Sequence, residues 1–103
     1  MNPITKSSGN VFEDLLLPDA PGLRARAQLT RQIAKAIERQ KISQSVAAQR
    51  LGIDQPKISA LLRGRFEGFS VERLMRLLTA LDQDVKIVVK PAKAGTRGSV
   101  TVD

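Results

Sequence analysis

The chain is 103 residues long, enough for one compact domain with tails and a modest core, and its formal net charge is +7. It has no cysteine and no histidine, which removes disulfides, thiolate nucleophiles, Cys- or His-based metal sites and any Ser-His-Asp triad, so neither metal nor cofactor is expected. Three phenylalanines without Trp or Tyr leave little ring surface for stacking unpaired bases, and the absence of a membrane-length apolar run or a signal-peptide layout makes a cytoplasmic, nucleoid-associated protein the expectation.

In chain order, "MNPITKSSGN" is rich in Ser, Gly, Asn and Pro and reads as a flexible start. "VFEDLLLPDA" follows, so residues 1–22 form an N-terminal arm that packs on the domain's own core or docks a partner protein; the residues leave both open. Asp19 is placed to cap a helix whose first turn holds Pro21. From Leu23 to Gln40, Leu29, Ile33, Ala36 and Ile37 fall on one helical stripe, with Arg31, Lys35 and Arg39 lying away from it. Ser43 is a natural N-cap for a short helix through Arg50, with Val46, Ala47 and Leu51 inward, and Gly52 supplies a left-handed stop. Asp54 caps the next helix, Pro56 sits in its first turn, Ile58, Leu61 and Leu62 form its apolar stripe, and Gly64 ends it. "RFEGF" is a loop, after which Ser70 caps a fourth helix carrying Val71, Leu74, Leu77, Leu78 and Leu81. In "DVKIVVKP" the period changes: Val85, Ile87 and Val89 alternate with Lys86, Val88 and Lys90 before Pro91, which predicts a strand. Residues 92–103 read as a disordered tail.

Charge follows this organisation. Arg24 to Arg65 contain ten Lys/Arg against Glu38 and Asp54, whereas residues 1–23 sum to −2 and residues 66–103 to +1. The central helices therefore hold the whole positive excess, which favours a polyanionic partner; a merely soluble basic surface is the alternative.

Two capped helices joined by a glycine turn make the layout of a helix-turn-helix. Ala47 and Ala48 are small where the two helices cross, and Ile58 and Leu61 anchor the second helix with its outer face protruding, suited to the major groove of duplex DNA. Gln44, Ala48, Gly52, Ile58 and Leu61 stand at the signature positions of the phage-repressor and Cro (Xre-type) helix-turn-helix family, which the chain resembles. The longer run through "LGIDQPKISALLRGRFEGFSVERLMRLLTALDQDVKIVV" is similar to the HigA-like antitoxin group over roughly residues 11–91. One departure is Val46-Ala47, where many Xre-type sequences carry Glu-Leu. The resemblance implies a mainly α, four- to five-helix Xre-type domain over residues 23–82. It also implies a DNA-binding homodimer that represses its own operon and neutralises an mRNA-cleaving toxin.

At about 100° per residue, Pro56, Ala60 and Arg63 lie opposite the buried stripe of the second helix. Pro56 and Ala60 can touch only apolar features such as thymine methyls, so polar base reading falls on Gln55, Lys57 and Ser59, with Ala60 beside them. Gln44 opens its helix, where free N–H groups favour an anion, and Arg63, Arg65, Lys41 and Arg50 are candidate phosphate contacts.

A lone strand over residues 83–91 leaves its backbone groups unpaired unless it meets the same strand of a second molecule about a two-fold axis. Leu78, Leu81, Val85, Ile87 and Val89 are the expected dimer residues, and the symmetry would set two reading helices roughly 34–36 Å apart. Otherwise the segment pairs with "VFEDLLL" of its own chain or stays loose. A protein-interaction module that keeps the helix-turn-helix shape is the rival function, and salt dependence separates the two. Enzymatic activity has little support, because no Ser-x-x-Lys opens a helix.

Overall fold

Four helices make up the regular structure of residues 22–102, the part of the chain that this computed structural model describes: α1 (Leu23–Gln40), α2 (Gln44–Leu51), α3 (Gln55–Leu62) and α4 (Val71–Ala80). The apolar stripes expected from the sequence meet in one core. Ile33 of α1, Ile58 and Leu61 of α3 and Leu74 of α4 are all at most 1% exposed. Phe69, in the loop between α3 and α4, closes one side of that core. α1 packs against both α3 and α4, while α2 and α3 pack on each other.

Local chemistry sets the helix boundaries. Ser43, Asp54 and Ser70 are extended, and each side chain accepts a hydrogen bond from a backbone N–H three residues on. The start of α1 differs from the expectation. Its N-cap is Gly22, in the left-handed region at φ 75°, with no side-chain cap; Asp19 and Pro21 lie outside the described residues, as does the 11–20 segment. A Cβ at Gly22 would stand 2.9 Å from Val71 Cγ2, so the first turns of α1 and α4 approach too closely for a side chain there.

Three further expectations are corrected. Val46 is 43% exposed, because the eight-residue α2 turns Ala47 and Leu51 to the core and leaves Val46 on its flank. Leu78 and Leu81 are 4% and 0% exposed within the single chain, so they belong to its own core and form no surface for a second copy. No strand forms among the described residues: Val85 packs on the core, whereas Ile87, Val88 and Val89 are exposed with no ladder partner in the chain. The tail, read as disordered, returns to the domain at its far end. Val102 is half-buried, and its N–H donates to Gln28 Oε1 of α1 at 2.8 Å. No helix of the described residues is long and apolar enough to cross a membrane.

Candidate nucleic-acid interface

The α2–turn–α3 unit is fixed at both ends by backbone geometry. Gly52 adopts φ 68° and the Ile53 N–H reaches back to Ala48 O at 3.2 Å, which closes α2 and swings the chain into the Asp54 cap. At the end of α3, Gly64 adopts φ 82°, with Gly64 N–H on Leu61 O and Arg65 N–H on Ala60 O, both at 2.9 Å. These two bonds form a Schellman closure that brings Arg65 back over the last turn of α3.

Between these stops α3 shows two unlike faces. Ile58 and Leu61 are buried, and Ala47 of α2 is buried where the small side chain lets the helices meet. Gln55, Pro56 and Lys57 are exposed, and Ser59 and Ala60 are half-buried. Gln44, Gln55, Pro56 and Ser59 line a single open groove. Residues eleven positions apart in sequence are thus brought together: the N-terminus of α2 converges on the N-terminal half of α3. Since the Ser43 hydroxyl takes the Val46 N–H and the Ser43 carbonyl takes that of Ala47, the N–H groups of Gln44 and Ser45 remain directed outward from the helix end.

The expected phosphate ligands divide. Lys41 is exposed at the corner between α1 and α2, itself left-handed at φ 55°, and Arg65 is exposed at the end of α3. Arg63 lies back along α3, its Nη1 donating to Ser59 Oγ at 3.3 Å, a long bond that draws this cation onto the reading face rather than its edge. Arg50 is a correction. Its guanidinium donates to Gln40 Oε1 at 2.9 Å, to Ala80 O at 3.2 Å and to Asp82 Oδ2 at 3.1 Å, while Gln40 Nε2 donates to Leu81 O at 2.6 Å. Arg50 therefore joins the C-terminal ends of α1, α2 and α4, with three of its five N–H donors spent on the protein.

Sequence reasoning missed that junction, whose partners lie 10 to 32 positions from Arg50 and follow no local pattern. It also missed two cation–ring contacts. The Arg26 guanidinium stands 5.2 Å from the Phe66 ring centre, and that of Arg73 stands 4.6 Å from the Phe69 ring centre. The first ties α1 to the loop after α3, next to Arg65. Among the described residues no acidic cluster fit to hold a metal ion is present.

The profile of a family described as "Helix-turn-helix domain" matches residues 11–90. A solved structure named "Putative XRE Family Transcriptional Regulator" is 50% identical in sequence and superposes with a TM-score of 0.62, covering 74% of this chain and 84% of that one. No curated protein matches the chain.

Proposed function

We propose, from the premise that this chain belongs to the helix-turn-helix domain family, that it is a transcriptional regulator binding a near-palindromic operator in duplex DNA as a homodimer. The observation that carries this reading is the groove formed by Gln44 of α2 with Gln55, Pro56 and Ser59 of α3, a helix anchored in the core by Ile58 and Leu61. A rigid, amphipathic helix with polar side chains at its leading end suits the major groove, and the neighbouring helix N-terminus suits a backbone phosphate.

In this reading Gln55 pairs with adenine, Lys57 with guanine or a phosphate, and Ala60 and Pro56 touch thymine methyls. Ser59 reads a base edge together with Arg63, its hydrogen-bonding neighbour. Gln44, Lys41 and Arg65 hold phosphates and set the register. Few side chains read each half-site, so selectivity depends on two half-sites. The exposed apolar segment of Ile87 and Val89, with Val85 beneath, is the surface by which two copies pair. Repression of its own operon and neutralisation of an mRNA-cleaving toxin rest on the resemblance to the HigA-like group. Co-expression with a small basic reading frame beside its gene, scored as rescue of growth, tests the toxin.

Operator binding is tested on a duplex from the protein's own promoter. Gln55→Ala should flatten base preference at one position of each half-site. Arg65→Ala should weaken all sequences alike and lower the log–log salt slope by about one. If both variants give only uniform losses, Gln55 does not read a base. Salt-insensitive or absent binding would overturn the DNA reading and favour a protein-interaction role.

A further inference from the structure

We propose that the outward face of α1, together with the basic chain after Asp84, is a second binding surface, sequence-independent, for the phosphate backbone of a separate segment of duplex DNA. Arg31, Lys35 and Arg39 are exposed and stand at i, i+4 and i+8. At 1.5 Å per residue their steps are about 6 Å, on the order of the spacing between neighbouring phosphates along a strand. None of the three is paired with a carboxylate among the described residues.

A second observation joins the tail to this face. Residues 85–102 carry Lys86, Lys90, Lys93 and Arg97 without a single acid, and their side of the chain is exposed from Lys86 to Thr101. Their far end is bonded to α1, Val102 N–H to Gln28 Oε1. Gln28 lies one helical turn before Arg31, so the end of the tail, five residues beyond Arg97, is anchored to the same helix.

The direction of this surface sets it apart from the reading face. α1 and α3 bury their apolar sides in a common core, Leu29 and Ile33 against the cluster that holds Ile58 and Leu61. Their solvent faces therefore point away from each other, and a straight duplex seated on α3 is directed away from Lys35. The occupant is double-stranded because ring surface is lacking: among the described residues both phenylalanines, Phe66 and Phe69, are engaged by Arg26 and Arg73, leaving no platform for unpaired bases. Two faces on one protein make a bridge between DNA segments. The inference needs neither an operator nor a dimer.

The test uses the full chain and two mixed-sequence 30-base-pair duplexes, one on beads and one fluorescent, with the protein in limiting amount. The unaltered protein should carry the fluorescent duplex onto the beads. A back-face variant, Arg31→Gln with Lys35→Gln and Arg39→Gln, should bind the bead duplex yet lose the bridge. A front-face variant, Lys57→Gln with Arg65→Gln, should keep a salt-sensitive affinity for duplex DNA through the back face. Placed in that front-face background, where binding depends on the back face, the three back-face changes should lower the log–log salt slope by roughly 2.7, about a 40-fold smaller loss of affinity between 50 and 200 mM salt. Circular dichroism establishes that each variant is folded. Bridging that persists in the back-face variant would assign it to paired reading faces and overturn the proposal. So would failure of the unaltered protein to bridge, or capture by the back face of single-stranded RNA in preference to duplex. Failure of the operator test leaves this result readable, since neither duplex contains an operator.

Discussion

Thr30 is 1% exposed on the core side of α1, and its hydroxyl has no hydrogen-bond partner among the described residues. An unmade bond at such a site costs about 1–3 kcal/mol, whereas Val has the same branched shape and nearly the same helix propensity. Thr30→Val should therefore stabilise the fold by about 1 kcal/mol, read as a rise in melting temperature of about 4–8 °C. Arg50 supplies the opposite case. Three hydrogen bonds converge on its partly buried guanidinium, but its carboxylate partner Asp82 has a side chain that is 82% exposed. The charge–charge attraction is therefore small beside the bonds to Gln40 Oε1 and Ala80 O. Arg50→Ala should cost about 1–2 kcal/mol in denaturant unfolding and leave the salt slope of DNA binding unchanged. Asp82→Asn, which keeps a residue tolerant of the observed φ of 64°, should cost about 0.5 kcal/mol or less. An Arg50→Ala variant with full stability and a reduced slope would restore it as a phosphate ligand.

At the scale of the helices, what was legible in the sequence is what is decided within four residues. Ser43, Asp54 and Ser70 cap their helices as their positions suggest, and Gly52 makes the expected turn, because a cap or a left-handed stop needs only its neighbours. The buried side of α3 followed from spacing for the same reason. What escaped depends on partners brought in from elsewhere: the exposure of Val46, the engagement of Arg50, and the enclosure of Leu78 and Leu81, whose period marks them as apolar but not against which neighbour. Gly22 shows the same limit, since its requirement comes from Val71. Two of the left-handed glycines, Gly52 and Gly22, therefore separate on substitution. Gly52→Ala has nothing within 4 Å of the new Cβ and should lose only the conformational term, about 1 kcal/mol. Gly22→Ala adds a 2.9 Å contact to the same term and should lose more, by about 1–3 kcal/mol of overpacking. Equal losses at the two sites would mean that α1 shifts away from α4 at little cost.

For the whole molecule, the distribution of apolar surface decides what assembly the chain needs. Leu81 is fully buried, whereas Ile87, Val88 and Val89 are 74%, 79% and 91% exposed in succession. Removing the first attacks the monomer, and charging the others attacks only what covers them. Ile87→Lys with Val89→Lys should thus leave the melting transition of the single domain within about 0.5 kcal/mol, as befits exposed positions, and abolish self-association in sedimentation. The proposed operator mechanism adds a second consequence. If two modest half-site contacts are made effective by linkage, the same variant should lose about 10²-fold or more on a full palindrome and almost nothing on an isolated half-site. Leu81→Lys, by contrast, puts a charge into the core and should unfold the domain, losing both sites together. The ratio of full-site to half-site affinity is therefore the decisive quantity. A double-lysine variant that still sediments as a pair, or a monomer whose full-site advantage survives, would place the dimer contact elsewhere than on residues 85–89.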